Sequence, residues 1–131
     1  MEKLVREATA KTPEVFFDAE NGTFDIRGTS IPENSIQFYQ PLDEWVAEYV
    51  KTPAPKITIT IKLQYFNSST SMWLVHLLMK FKDVYARDKN ITINWHFEKN
   101  DEECLDAGKA FEKSIHIPFT FIEYAEEANK E

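Results

Sequence analysis

Apolar positions change their spacing several times along the chain, and each change marks an element. Val15-Phe16-Phe17 and Phe24-Asp25-Ile26 flank Glu20-Asn21-Gly22. Two short β-like runs around an Asn-Gly turn signal predict a hairpin. Strict alternation begins at Ile57, with Ile57, Ile59, Ile61, Leu63 and Tyr65 apolar against Thr58, Thr60, Lys62 and Gln64. This is the clearest strand in the chain. A second alternation places Ile91, Ile93, Trp95 and Phe97 between Thr92, Asn94 and His96, and Phe119, Phe121 and Ile122 follow Pro118 as a last strand.

The helical period appears in three places. Phe38, Leu42, Trp45, Val46, Tyr49 and Val50 recur at spacings of three and four, behind an opening in which Ser30 suits a cap and Pro32-Glu33 a first turn. Pro41 interrupts this stripe and is expected to split or kink the helix, because it removes a backbone donor and crowds the preceding turn. Trp73, Leu74, Leu77, Leu78, Phe81, Val84 and Tyr85 predict one helix of about twenty residues, roughly 69 to 87. Lying between two strands, it reads as a right-handed crossover joining them in parallel. Asn100-Asp101-Glu102-Glu103 supplies a cap and first-turn acids for a third helix with Leu105, Ala107 and Phe111 inward.

Strands covered on both faces are apolar nearly throughout, whereas the two long strands here alternate. One sheet face is therefore expected to be polar. The pattern predicts an α/β domain: an opening β-hairpin, then alternating helices and strands, giving a mixed sheet of about five strands with helices mainly on one face. Residues 1–12, closed off by Thr12-Pro13, read as a flexible N-terminal arm. Residues 13–125 form a single domain, and 126–131 an acidic C-terminal tail.

Composition narrows the function classes. A chain of 131 residues with 43% hydrophobic and 14% aromatic side chains fits one folded domain and excludes a disordered one. Fifteen basic against twenty-two acidic residues give a net charge of -7, which opposes nucleic acid and anionic lipid as partners. Cys104 is the single cysteine and cannot form an internal disulfide, so it reads as core or boundary packing without a redox role. No charged leader followed by an apolar run opens the chain, and no apolar stretch approaches the roughly twenty residues of a bilayer span. The expectation is a cytoplasmic protein with no membrane insertion.

Catalytic machinery is not visible. His76, His96 and His116 lie at no ligand spacing with one another or with Cys104, so no metal site is expected. Asp101, Glu102 and Glu103 read as a dipole-complementing helix start. Gly22, Gly28 and Gly108 are the only glycines, too few and too scattered for a phosphate-cradling loop or dinucleotide fingerprint, so no cofactor is expected. A rival reading makes the polar sheet face, with His96 and nearby carboxylates, a small ligand-binding or enzymatic surface.

What remains is Tyr65-Phe66-Asn67-Ser68-Ser69-Thr70-Ser71, where the best strand hands over to the best helix. One reading is capping, with one side chain accepting a bond from an orphan N–H. The other is modification, since free N–H groups and the positive dipole end favour an anion there. A phosphate would add roughly -1.5 to -2 charges without requiring the fold to change. Spacing leaves both readings, and the hydroxyls of Ser68, Ser69 and Thr70, open.

Three motifs, Thr12-Pro13 before the first strand, Ser30-Ile31-Pro32-Glu33-Asn34 with the following Trp45 segment, and Tyr65-Phe66-Asn67-Ser68-Ser69-Thr70, together with Ile93-Asn94-Trp95-His96-Phe97, give the chain its resemblance to a known family. It resembles the SiaC-like regulatory phosphoproteins of bacteria, themselves similar in fold to anti-anti-sigma factors of the STAS type. The resemblance implies a non-enzymatic partner-switching protein modified on the hydroxyl directly after the junction asparagine, here Ser68. It further implies a dedicated serine/threonine kinase, a PP2C-type phosphatase, and an unmodified form that binds and activates a diguanylate cyclase, raising cyclic di-GMP and promoting biofilm. It places Pro32, Glu33 and Asn34 near the phosphosite on one rim, so these three, with Tyr65, Asn67, Ser69 and Thr70, are the expected partner-binding residues. Family members commonly carry threonine where this chain has Ser68. Classical anti-anti-sigma proteins have aspartate before the modified serine and a glycine soon after. Asn67 and the glycine-free run from Ser68 to Leu74 depart from that pattern and argue against a simple sigma-factor pathway, with an anti-anti-sigma-type antagonist of an anti-sigma kinase as the alternative reading.

Overall fold

The computed structural model describes residues 1–88 and 90–126. In chain order the elements are β1 (Leu4–Arg6), β2 (Glu14–Asp18), β3 (Thr23–Ser30), α1 (Ser35–Tyr49), β4 (Ile57–Phe66), α2 (Ser68–Met79), α3 (Lys82–Asp88), β5 (Ile91–Glu98), α4 (Glu102–Ile115) and β6 (Phe119–Tyr124). The strands form one six-stranded sheet in sequential order. β1, β2 and β3 pair antiparallel, whereas β3 to β6 pair parallel. The hairpin turns at Gly22, whose φ is 66°. A Cβ there would meet the Lys56 carbonyl oxygen at 2.2 Å, so both the turn and the close approach require glycine.

Alternation predicted which face is buried. Phe17, Phe24, Ile26, Ile59, Ile61, Leu63, Ile93 and Trp95 are all 2% exposed or less, and they lie on the sheet face that the helices cover. Phe24 holds edge-to-face contacts with Phe17, Tyr49 and Phe81, which locks α1 and the α2–α3 junction onto the sheet. On the opposite face Asp25, Lys62, Asn94 and His96 are only partly buried, as the polar half of the pattern requires.

Within the expected N-terminal arm, Leu4–Arg6 form the sixth strand. Leu4 pairs with Phe17 across the β1–β2 ladder and is buried, and the Glu2 carbonyl accepts a 3.1 Å bond from Trp45 Nε1. An unpaired β2 edge would present a row of open N–H and C=O groups. Three residues are enough to cover it, too few for a readable alternation. The last five residues of the expected acidic tail, 127–131, lie outside the described residues.

Helix boundaries differ from the expectation in instructive ways. α1 is capped by Asn34, whose side chain accepts from Gln37 N, not by Ser30, which closes β3 in the core. α1 also runs unbroken through Pro41, because burial of Tyr39, Leu42, Val46 and Tyr49 offsets the single lost backbone bond. The expected twenty-residue helix is two helices. Lys80 N and Phe81 N bond to the carbonyls of Leu77 and Leu78, a tightened i to i-3 turn that drops Phe81 fully into the core. In α4 the inward stripe is Cys104, Gly108, Phe111 and Ile115, with Leu105 and Ala107 on its margin. A Cβ on Gly108 would come within 2.6 Å of the Trp95 ring, so the absent side chain lets the helix seat on that indole. Trp95 Nε1 donates to the Cys104 carbonyl at 3.0 Å.

Candidate functional site

β3 and β4 end side by side, and a register shift after Gly28 pairs Thr29 with Tyr65 and Ser30 with Phe66. Gln64 is the extra residue, and such bulges re-aim the strand beyond them. The chain then turns into α2 at Asn67, held by a bond from Asn67 N to the Ser30 carbonyl at 3.2 Å. Asn67 is extended and caps the helix: its Oδ1 accepts from Thr70 N and from Ser69 Oγ, both at 3.0 Å. The cap is therefore the asparagine, not one of the hydroxyls.

The hydroxyls that follow have separate fates. Thr70 is fully buried, on the same helical stripe as Leu74, Leu77 and Leu78. Its Oγ1 donates to the Ser30 carbonyl at 2.9 Å and lies 2.7 Å from Ser30 Oγ, which is 2.6 Å from the Tyr39 hydroxyl. Each hydroxyl has one proton. With Thr70 donating to the carbonyl, Ser30 must donate to Thr70 and Tyr39 to Ser30, so the chain of bonds has one direction. Burial raises the Tyr39 phenol above its ordinary range, partly opposed by these bonds. α1, β3 and α2 are thus tied at one buried polar point.

Ser69 is half-buried and its hydroxyl is committed to Asn67. Ser68 is exposed, and among the described residues its hydroxyl makes no hydrogen bond. It is the first residue of α2, and no acidic residue occupies that helix's first turn. Tyr65 before it is 57% exposed, and Met72, one helical turn after it, is 74% exposed.

The segment 32–34 follows Ser30, whose hydroxyl and carbonyl bond Thr70 of α2. Pro32 is buried, Glu33 exposed, and Asn34 is occupied as the α1 cap. Glu33 Oε1 accepts from Lys11 Nζ at 2.7 Å, which holds its carboxyl below the ordinary value. Arg6, Lys11, Thr12, Gln37 and Phe38 join these residues around a depression of about 450 Å³. Lys11 and Arg6 were not among the sequence candidates. The available signal was the Thr12-Pro13 motif, which fixes where the N-terminal segment returns: Ile31 N bonds to the Lys11 carbonyl at 2.8 Å.

Two of the remaining candidates border residues around Ser68: His76 lines a shallow depression with Met72 and Trp73, and Cys104 lines another with Tyr65 and Phe66. His76 bonds Asp43 at 3.1 Å beside Lys80, and His96 lies on the polar sheet face. Cys104 is buried and its thiol is pushed up to about 11, first by desolvation and then by Asp101, which makes it unreactive. Among the described residues no group of three or more His, Cys, Asp or Glu side chains could hold a metal ion, and no helix is long and apolar enough to cross a membrane.

Comparison with known proteins places this geometry. The fold matches the crystal structure of apo-SiaC from Pseudomonas aeruginosa with a TM-score of 0.83 and 20% identity, over 93% of this chain and 99% of that one. It also matches a chain in the structure of the diguanylate cyclase SiaD in complex with its activator SiaC, from the same organism, at TM-score 0.84 and 21% identity, over 92% and 99% of the two chains. An uncharacterized protein of Pseudomonas aeruginosa strain UCBPP-PA14 is 22% identical over 111 residues, 85% of this chain and 88% of that protein. The model of the SiaC family regulatory phosphoproteins matches residues 6–124, nearly the whole chain, and on that match the protein belongs to the SiaC family.

Proposed function

We propose that this chain is a non-enzymatic partner-switching regulator whose unphosphorylated form binds and activates a diguanylate cyclase, and that Ser68 is the residue whose phosphorylation controls it. The observation that carries the reading is the division of labour in the hydroxyl cluster. Thr70 gives its proton to a buried bond chain and Ser69 gives its own to the cap, while Ser68 presents an exposed, uncommitted hydroxyl at a helix start with no acidic neighbour. Phosphate there meets free N–H groups and the positive dipole end. Phosphate on Thr70 would require breaking the two buried bonds of its hydroxyl first.

Two further features support the reading. In the solved complex, SiaC is the activator of the cyclase SiaD, and this chain shares its family and fold. Exposed apolar side chains also flank Ser68 in the chain, Tyr65 before it and Met72 one helical turn after it, and such groups suit the centre of a protein interface. A doubly charged group placed among them opposes docking by desolvation. The modified form is therefore released, and a kinase and a PP2C-type phosphatase set the balance, all within the cytoplasm.

The test is intact mass after incubation with the cognate kinase. One added phosphate is expected on the wild type and none on Ser68→Ala, while Ser69→Ala and Thr70→Val still accept it. Co-purification with the cyclase should survive Ser68→Ala and be lost in the phosphorylated protein. Phosphate persisting in Ser68→Ala overturns the assignment.

A further inference from the structure

Ser68 lies between two residues that donate to the same atom. Before it, Asn67 gives its N–H to the Ser30 carbonyl at 3.2 Å, and after it, Thr70 gives its hydroxyl proton to that carbonyl at 2.9 Å. The Ser30 side chain extends the connection, 2.7 Å from Thr70 Oγ1 and 2.6 Å from the Tyr39 hydroxyl. Ser30, Tyr39 and Thr70 are all fully buried, and each hydroxyl has its one proton committed. A shift of Thr70 that left Ser30 and Tyr39 in place would strand a buried donor, so the three residues are held to move together. Beyond Ser30 the chain reaches the surface. Ile31 N donates to the Lys11 carbonyl at 2.8 Å, and Asn34, four residues after Ser30, caps α1. Ile31, Glu33 and Ile36 are exposed along this stretch.

We infer that Ser30 couples the start of α2 to the segment 31–36, so that modification of Ser68 alters two surface segments together; this deepens the reading of Ser68 as the phosphorylated residue and rests on it. A phosphate at the first position of α2 draws the N–H and O–H donors of the first turn. Those donors include the Ser69 hydroxyl and the Thr70 N–H, and Asn67 Oδ1 holds both at 3.0 Å. The phosphate competes with that oxygen and re-seats Asn67 and Thr70, the two donors to Ser30. Close-packed interiors pass such displacements on, and the buried bond chain stays intact and carries this one. Ser30 then moves Ile31 against the Lys11 carbonyl and shifts the cap of α1.

The experiment compares ¹H–¹⁵N spectra of the full chain in three forms: unmodified, phosphorylated by the cognate kinase, and Ser68→Asp. Besides shifts at residues 66–72, both charged forms are expected to shift the amides of Ile31, Glu33 and Asn34. Thr70→Val, which removes the hydroxyl and keeps the shape, should reduce those distal shifts about twofold, because members of one bonded network do not act independently. It should leave the shifts at Ser69 and Ser71 standing, and Thr70→Ser should keep the distal ones. Val84→Ala, which loosens the core at α3 without touching these bonds, should leave the distal shifts unchanged. Should Thr70→Val not fold, Ser30→Ala, which removes only the hydroxyl link, serves in its place with a smaller reduction. Distal shifts that are absent, undiminished in the hydroxyl variant, or reduced as much by Val84→Ala overturn the coupling. Failure of the kinase to modify Ser68 overturns the phosphosite alone, because Ser68→Asp still reports on the coupling.

Discussion

Two helices in this domain begin in the same way and are finished differently. α2 follows β4 behind Asn67, and α4 follows β5 behind Asp101. In each, the cap Oδ1 accepts from the N–H three residues on, at 3.0 Å from Thr70 and 3.1 Å from Cys104. α4 then fills its first turn with Glu102 and Glu103, whereas α2 has serines and no acid. α4's dipole is answered by its own side chains. α2's is left unanswered beside an exposed hydroxyl, so the phosphate proposed for Ser68 would supply what Glu102 supplies permanently at the matching place. Beneath the surface the contrast reverses: α4 buries a thiol and a glycine against Trp95, whereas α2 is tied down through Thr70, Ser30 and Tyr39. If Ser68 is phosphorylated as proposed, a helix start that accepts and loses charge is anchored by interactions that the charge does not touch.

Breaking the anchor has the largest expected effect on stability. Thr70→Val removes one hydroxyl and leaves Ser30 without the acceptor of its proton, which costs about 1–3 kcal/mol, read as a lower midpoint in urea with an unchanged slope. The caps should be closer to equal: Asn67→Ala and Asp101→Ala each cost about 1 kcal/mol. A much larger loss in one would end the equivalence on which the comparison rests.

The charge difference itself is smaller. Ser68→Asp should stabilise α2 by about 0.3–1 kcal/mol and Glu102→Gln should weaken α4 by a similar amount, both fading at high salt. If Ser68→Asp destabilises, the α2 start is not the open dipole end described above. The smallest effect concerns the rim. Glu33 has its carboxyl lowered by Lys11, so whatever the pair contributes is present above the ordinary carboxylate value and disappears as pH falls through the lowered folded value. Lys11→Ala should return the Glu33 titration, followed by NMR, toward its ordinary position with little change in stability, as suits an exposed pair.

Much of the fold was legible because alternation and helical spacing are local signals. They located five of the six strands, the polar sheet face and one parallel strand-helix-strand unit, from β4 to β5. They missed β1, whose three residues pair only because β2 offers an edge. They fused α2 with α3, because Phe81 remains apolar and in phase across a turn that only the backbone reveals. The site was legible in part. The Tyr65 to Ser71 run was conspicuous, but Thr70 stood among surface candidates although its spacing to Leu74 and Leu77 already placed it on the buried stripe. Ser30 likewise continues the inward register of Phe24 and Ile26, and it read as a cap only because a helix was expected to start there.

By itself the sequence determined the α/β class, the face each strand buries and the place where a hydroxyl cluster meets a helix start, since side-chain period and turn chemistry act over a few residues. Only the tertiary structure decided which hydroxyl is free. That choice depends on partners forty residues away in the chain, Ser30 for Thr70, and on a strand bulge that brings them within bonding distance.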